Sequence, residues 1–137
     1  MTQNSPSIDP ALIALDLWIR STPKGEGISR ALLEADYTED VEQVNGFGVY
    51  STGREAVFTA AQQAVGANKT VGLDTKVVSA SLLAPNVILA HLLSSADIPQ
   101  GPLAGKMQFR FTLVILNRNG AWQIRSTSTT LVQRLPS

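Results

Sequence analysis

The last third of the chain places the strongest constraint on its fold. Two long apolar runs rich in β-forming residues, 107–117 and 122–132, are joined by the turn signal Arg118-Asn119-Gly120. This pattern predicts a β-hairpin with strands of about ten residues each. Strands of that length need a covering layer, and the helix signals all lie upstream. We therefore expect an α+β domain in which the helices fold back onto one face of an antiparallel sheet.

Length and composition limit the classes of protein to consider. The chain has 137 residues, which is enough for one domain spanning 1–137, and we expect residues 1–7 to be disordered. Eleven basic residues balance eleven acidic ones without a basic cluster, so we expect no nucleic-acid partner and no membrane partner. The absence of cysteine and the presence of a single histidine argue against a metal site, and we expect no cofactor.

Localisation and assembly follow from the same features. The start of the chain is polar and lacks the pattern of a secretory signal, and no uncharged apolar run approaches the roughly 20 residues that span a bilayer. We therefore expect a cytoplasmic protein. A formal net charge of zero with 44% hydrophobic residues favours burial of surface in an oligomer, and a homodimer is the predicted state.

Helix signals occupy the first half of the chain. Asp9 can cap a helix and Pro10 fits the first helical position, so a helix is predicted to begin there. Apolar residues then recur at helical spacing, and this helix is predicted to end near Arg20, before a Pro/Gly-containing break. A short second amphipathic helix is predicted over 28–35, ending in the acidic stretch 34–40.

The strand signals predict a sheet of several members. A first strand is predicted from Val41 to Asn45, interrupted by two glycines and resumed at 49–50. A third helix follows from Arg54 to about residue 65. Two further strands are predicted at 73–83 and 86–95, ahead of the terminal hairpin. The predicted order is helix, helix, strand, helix and four strands.

Three segments carry a resemblance to a known family. They are Tyr37-Thr38-Glu39-Asp40-Val41-Glu42-Gln43-Val44-Asn45, Gly53-Arg54-Glu55-Ala56-Val57 and Asn119-Gly120-Ala121-Trp122-Gln123-Ile124. Because these three segments occur in this order along the sequence, the chain resembles the nuclear-transport-factor-2-like superfamily, in particular its SnoaL-like branch. The resemblance implies a cystatin-like cone: a strongly curved, mixed, mostly antiparallel sheet with three N-terminal helices on its concave face. It also implies an apolar cavity in the cone and pairing of two subunits through the outer sheet face.

The resemblance does not carry over a known mechanism. In the steroid-isomerase relatives, a carboxylate on the first strand transfers the proton, and a carboxylic acid with a helix tyrosine forms an oxyanion hole. Gln43 stands at the position of the base, and Thr112 aligns approximately with the late-strand acid. Amide and hydroxyl groups do not titrate near neutral pH, so neither can transfer a proton in the same way.

Strand alternation leaves two arrangements of the sheet open. It separates Gln108, Arg110 and Thr112 from Met107, Phe109, Phe111, Leu113 and Ile115. Amphipathicity alone places the second, Phe-rich set in the core, whereas the resemblance places the first set inside the cone. In the latter arrangement Arg110 and Arg125 could bind a ligand carboxylate or enolate. Alternatively each arginine pairs with an acid such as Glu42 or is solvated.

The sequence contains one histidine, His91, which lies in a predicted apolar strand, 87–93. It is either a hydrogen-bonded core or interface residue or a general base, since histidine changes charge near neutral pH. As a base it would need an orienting carboxylate, for which Asp36 or Asp40 is the candidate. Tyr37 could then offer its hydroxyl to a ligand carbonyl. His91, Asp40 and Tyr37 are therefore the candidate catalytic residues.

The candidate ligand pocket combines aromatic side chains with polar ones from the first and last strands. Its predicted members are Trp18, Tyr37, Gln43, Phe47, Tyr50, Phe58, Arg110, Thr112 and Arg125. The leading hypothesis is a non-catalytic homodimer that binds a small apolar or carbonyl-containing ligand in this pocket. The alternative is a cyclase, isomerase or dehydratase that uses His91 with an Asp and a Tyr. A protein-binding module is the third possibility.

Overall fold

The computed structural model describes residues 8–21, 29–67, 71–98 and 104–136. The predicted disorder at 1–7 and most of the predicted break after the first helix lie outside these ranges. The elements of the described part are α1 (Pro10–Ser21), α2 (Arg30–Asp36), β1 (Tyr37–Val44), β2 (Tyr50–Thr52), α3 (Arg54–Ala67), β3 (Val71–Ala84), β4 (Val87–Ile98), β5 (Gly105–Arg118) and β6 (Ala121–Arg134).

The strands form one open sheet in the order β2-β1-β6-β5-β4-β3. The β1 and β6 strands run parallel, and every other neighbouring pair is antiparallel. This arrangement confirms the predicted α+β fold with a mixed, mostly antiparallel sheet and three N-terminal helices. The parallel pair brings the first strand beside the last one, so segments from both ends of the sequence meet in the middle of the sheet.

The terminal hairpin is present as predicted and longer. Asn119 and Gly120 both have positive φ, 58° and 84°, as the two central residues of a type I′ turn require. The turn sets Arg118 opposite Ala121, and the pairing continues to Met107 opposite Arg134. Because the twist of a type I′ turn matches that of the strands, both strands extend over fourteen residues.

Two local predictions differ from the structure. The acidic stretch predicted to end the second helix is divided: α2 ends at Asp36, and β1 begins at Tyr37. Tyr37 pairs with Ile124 of β6, so strand pairing replaces the helical continuation. The interrupted first strand is a pair of antiparallel strands, because the Asn45 side chain accepts hydrogen bonds from the backbone N–H groups of Phe47 and Val49 and closes a tight turn.

The helices cover the Phe-rich face of the sheet, which we call the inner face. Its buried members on β4, β5 and β6 are Ile88, Ala90, Leu92, Ser94, Ala96, Ile98, Met107, Phe109, Phe111, Leu113, Ile115, Ile124 and Thr127. Ala14 and Leu17 of α1, Leu33 of α2 and Val57 of α3 are buried with them. Amphipathicity therefore assigned the faces correctly. The assignment from the resemblance was wrong, since Arg110 and Thr112 alternate with this set and lie on the opposite, outer face.

Two side chains from other elements hold the end of the short α2 helix. The Arg54 guanidinium donates to the carbonyl oxygen of Tyr37 at 2.7 and 3.0 Å and to that of Glu34 at 3.2 Å. The Gln123 amide donates to the carbonyl of Ala35 at 3.0 Å. Carbonyls at a helix C-terminus lack partners within the helix, and a cation there is favourable. A seven-residue helix is thereby fixed to both α3 and the sheet.

The segment Gly53-Arg54-Glu55 joins β1, α2 and α3. Gly53 has a φ of 85°, donates its N–H to the Val41 carbonyl at 2.7 Å and accepts from the Val57 N–H at 3.1 Å as α3 begins. Glu55 accepts two hydrogen bonds from Arg30 of α2, at 2.6 and 2.8 Å. A motif that carried the resemblance thus has a structural role: it docks the second helix onto the third.

We predict that Arg54→Ala lowers the free energy of unfolding by about 1 to 3 kcal/mol, because it leaves carbonyls at the end of α2 without their donors. Chemical denaturation measures the change. The control is Arg118→Ala, which removes a half-exposed ion pair with Asp40 and should cost less than about 1 kcal/mol. Equal effects of the two substitutions would contradict the capping role.

Candidate functional site

A line of polar side chains crosses the inner face of the sheet. Gln43 of β1 is in register with Ser51 of β2 on one side and with Thr127 of β6 on the other. Ser51 and Thr127 are only 8% and 5% exposed, and Gln43 is half-buried. We call these three residues the inner polar row. In the next strand the row continues into Leu113, which is fully buried, so its polar groups adjoin the apolar core.

The inner polar row has unsatisfied hydrogen-bonding capacity. Within the described part of the chain, the side chains of Ser51, Gln43 and Thr127 make no hydrogen bond. Buried polar groups in proteins are nearly always paired. Neither hydroxyl is among the fully enclosed polar atoms, so each borders space that a water molecule can enter. The row therefore presents an amide and two hydroxyls that can form hydrogen bonds with water or with a ligand.

An aromatic cluster adjoins the inner polar row. The Trp18 ring of α1 packs on Phe111 with centroids 4.2 Å apart, and Phe109 lies 6.2 Å from Phe111. Phe111 is two residues from Leu113 on β5, on the same inner face. A Cβ at Gly46 would lie 3.8 Å from the Phe109 ring, so the β1–β2 turn rests against this cluster. The arrangement brings apolar rings and uncharged polar groups together under the helices.

The other predicted aromatic members lie at the edges of this region. Phe47 is 52% exposed on the β1–β2 turn. Phe58 of α3 is half-buried, and the Arg30 guanidinium lies 4.2 Å from its ring centroid. Tyr37 is buried at the start of β1, whereas Tyr50 is 60% exposed on the outer face. The ligand contacts predicted for Phe47, Phe58 and Tyr37 stay predictions, whereas Tyr50 faces away from the inner polar row and bonds Glu42.

An ion-pair network occupies the outer face at β1 and β6. Asp40 contacts Arg118 at 3.1 Å and Arg125 at 3.3 Å, and Arg125 also contacts Glu42 at 3.2 Å. The Tyr50 hydroxyl donates to the other Glu42 oxygen at 2.5 Å. The alternative in which Arg125 pairs with Glu42 is thereby confirmed. Arg110 is exposed on the same face, so neither arginine faces the inner polar row.

The hydrogen bond between Tyr50 and Glu42 shifts the pKa values of both groups. The hydrogen bond from Tyr50, followed by that from Arg125, holds the pKa of Glu42 below its ordinary value. The same hydrogen bond raises the pKa of Tyr50, because it favours the neutral phenol. The contribution of Glu42 to stability is present above its unfolded pKa and is lost as pH falls through the folded pKa. That of Tyr50 is present below its unfolded pKa and is lost as pH rises through the folded pKa.

His91 lies on the outer face. Its neighbours along β4, Ala90 and Leu92, are fully buried against the helix layer, and alternation points the imidazole away from them. Its Nδ1 lies 3.3 Å from the Thr112 hydroxyl, the cross-strand partner. An enclosed acid–base site needs a histidine on the helix-covered face and a carboxylate beside it. The described residues do not form that arrangement around His91.

Among the described residues, no group of three His, Cys, Asp or Glu side chains is placed to hold a metal ion. In the described part of the chain, no helix is both long enough and apolar enough to cross a membrane. The buried acid Asp36 is paired with Arg20 at 3.1 Å. The inner polar row is therefore the feature that best marks a site.

Comparison with solved structures identifies the fold. No family model and no curated protein sequence matches the chain. An NTF-2-like protein of unknown function from Silicibacter pomeroyi superposes with a TM-score of 0.60 at 20% identity, covering 89% of this chain and 93% of that one. A type 2 hexachlorocyclohexane dehydrochlorinase, LinA, superposes with a TM-score of 0.71 at 13% identity, covering 89% and 84%.

A ketosteroid isomerase-like protein from Erwinia carotovora atroseptica gives a TM-score of 0.69 at 9% identity, covering 90% of this chain and 92% of that one. A protein from Caulobacter vibrioides with a cystatin-like fold is similar as well. The chain therefore has the cone-shaped fold of the nuclear-transport-factor-2-like superfamily, as the resemblance implied. Its placement in the SnoaL-like branch stays a prediction.

Sequence reasoning missed two of the three members of the inner polar row. Thr127 stands in the run Ser126-Thr127-Ser128-Thr129-Thr130, where β-branched and hydroxyl residues are ordinary strand formers. Ser51 lies just before the predicted third helix, in the segment Ser51-Thr52-Gly53, whose residue types are typical of a turn. The shared face of Thr127 and Gln43 depends on the parallel pairing of β1 with β6, which joins residues more than eighty positions apart, and that of Ser51 depends on the antiparallel pairing of β1 with β2. Local patterns do not contain that information.

We predict that Glu42→Ala moves the titration of Tyr50 to lower pH, because the phenol loses its charged acceptor. The measurement is phenolate absorbance in the near ultraviolet, in a Tyr37→Phe background that leaves Tyr50 as the single tyrosine. Glu39→Ala, an exposed neighbour on β1, is the control and should leave the midpoint in place. An unchanged midpoint in Glu42→Ala would show that the hydrogen bond does not form in solution.

Proposed function

We propose that this chain is a homodimeric protein that binds a small, mainly apolar ligand in the hollow between its helices and the inner face of its sheet. The inner polar row carries the proposal. Three uncharged polar side chains lie beside an aromatic cluster and lack protein partners, which is the composition typical of a ligand pocket. A bound ligand would supply the missing partners and cover Trp18 and Phe111.

Binding without catalysis fits the chemistry of the row. The Gln, Ser and Thr side chains do not exchange protons near neutral pH, and a nucleophilic Ser or Thr needs a neighbouring base. Asp36 is engaged by Arg20, and His91 points to the other side of the sheet. These placements favour the ligand-binding hypothesis over the cyclase, isomerase or dehydratase alternative. The names of the dehydrochlorinase and isomerase-like neighbours do not alter this, because the shared feature is the fold.

The outer face supports the homodimer part of the proposal. Leu89 and Leu93 of β4 and Val114 and Leu116 of β5 lie there beside His91 and Thr112, and all are only half-buried. No described element covers this face. Half-exposed apolar side chains on a broad sheet surface are suited to contact with a second protein surface. A second copy would cover them and would leave the inner hollow free.

We predict that the neutral apolar dye N-phenyl-1-naphthylamine binds saturably with one molecule per chain, with a rise in its fluorescence. Thr127→Phe fills the space beside Gln43 and should weaken binding at least tenfold, or about 1.4 kcal/mol. Thr130→Phe makes the same substitution on the exposed outer face of β6 and is the control. Circular dichroism checks that both variants fold. Undiminished binding by Thr127→Phe would refute the inner site.

We predict that sedimentation equilibrium at micromolar concentration gives twice the chain mass of 14.6 kDa. Leu89→Asp places a charge in the outer face and should raise the dimer dissociation constant at least tenfold, or about 1.4 kcal/mol. Leu12→Asp, at a position 64% exposed on α1, should leave the dimer intact. A single species at the chain mass for the unmodified protein would rule out the dimer.

A further inference from the structure

Charged side chains are segregated from the inner face. Among the described residues of the sheet, every buried inner position holds an apolar side chain or a hydroxyl, and half-buried Gln43 adds an amide. The charged Arg134 pairs with Met107 at the far end of β6, where it is exposed and donates to the Ala104 carbonyl. The strand acids and bases alternate with these positions and lie on the outer face or at its edge, as Asp40, Arg110 and Arg125 do. A ligand beside the inner polar row therefore meets no counter-charge from the described buried positions of the sheet.

This segregation restricts the charge of a ligand. An ionised group moved from water into an apolar site costs several kcal/mol unless a charged partner or several hydrogen bonds compensate. The described buried acid under the helices, Asp36, is already paired with Arg20. A carboxylate or an ammonium would thus be rejected, and an uncharged ligand would be accepted.

The inner polar row also restricts the polar group of the ligand. Gln43 stands at its centre, and its amide has two N–H donors and one carbonyl acceptor. A ketone or ether would satisfy the donors but leave the Gln43 carbonyl unpaired, and a buried unpaired acceptor costs about 1 to 3 kcal/mol. A carboxamide pairs with another carboxamide through two reciprocal hydrogen bonds. Ser51 and Thr127, on the adjacent strands about 5 Å away, can bond its remaining atoms.

We propose that the ligand is an uncharged molecule with a carboxamide or lactam group on an apolar, aromatic body, and that Gln43 determines this specificity. The inference rests on the proposed ligand-binding function and specifies the ligand class. The carboxamide pairs with Gln43, while the ring packs on the cluster of Trp18, Phe109 and Phe111. The role of Gln43 is recognition, and no bond is made or broken.

Three probes of equal ring size test the proposal: naphthalene-2-carboxamide, naphthalene-2-carboxylate and 2-methylnaphthalene. Each competes with N-phenyl-1-naphthylamine for the full-length protein at neutral pH. We expect the carboxamide to bind at least tenfold more tightly than the other two. The carboxylate tests the charge of the site, and the hydrocarbon tests the polar contact.

Gln43→Leu removes the amide while keeping a side chain of similar length. It should weaken carboxamide binding at least tenfold and leave 2-methylnaphthalene binding the same or tighter. Gln108→Leu is the matched control, because Gln108 lies on the outer face of β5 and bonds Gln133. Thr127→Val, which keeps shape and removes one hydroxyl, provides a second variant that should still fold and should weaken carboxamide binding severalfold.

The outcomes separate the two levels of the proposal. If the hydrocarbon binds as tightly as the carboxamide, the ligand class is wrong and the apolar binding function stands. If the carboxylate binds most tightly, a cation faces the hollow and the ligand class is again wrong. If neither the dye nor any probe binds, the binding function fails and the ligand class fails with it. Retained carboxamide affinity in Gln43→Leu would overturn the role of Gln43.

Discussion

The register of the β4–β5–β6 ribbon is the constraint on which the rest of the structure depends. The Asn119-Gly120 turn fixes Arg118 opposite Ala121, and from there alternation assigns each side chain of β5 to one face. A slip of one residue would move Phe109, Phe111 and Leu113 from the helix-covered face to the outer face. That exchange would lose a large part of the free energy gained by burying apolar surface, since Leu113 is fully buried and both Phe side chains are nearly so.

The same register organises the candidate site. Once β6 is fixed, its parallel pairing with β1 brings Gln43 beside Thr127, and the short β2 strand adds Ser51 on the other side. A bulge in β6 at Arg125, opposite Val114 and Ile115 of β5, adds one residue to β6 and leaves Thr127 on the inner face although Ile124, three residues earlier, is also inner. An irregularity in one strand therefore supplies a polar group to an otherwise apolar surface.

The hairpin, the helix starts at Pro10 and Arg54, and the class of fold could be predicted from sequence, because turn residues and amphipathic periodicity act locally. The assignment of the sheet faces shows where a resemblance can mislead: the local pattern of β5 was the better guide, since burial of Phe109 and Phe111 outweighs any preference carried by the fold. The inner polar row could not be predicted, because it depends on pairing between residues 43 and 127 and on a bulge. His91 shows the same limitation, since its residue type suggested chemistry and its strand position directs it outward.

The amide at position 43 connects the fold to the proposed function. The resemblance to the steroid isomerases implies that position 43 corresponds to their proton-transferring carboxylate on the first strand, and this correspondence stays a prediction. An amide has nearly the same shape as a carboxylate and keeps the hydrogen-bonding geometry, but it carries no charge and accepts no proton at neutral pH. It can therefore stay beside Leu113 and Phe111 without the desolvation cost that an ionised group would impose. Under the proposed function, Gln43 would recognise an uncharged polar group of the ligand by hydrogen bonds and would transfer no proton to it.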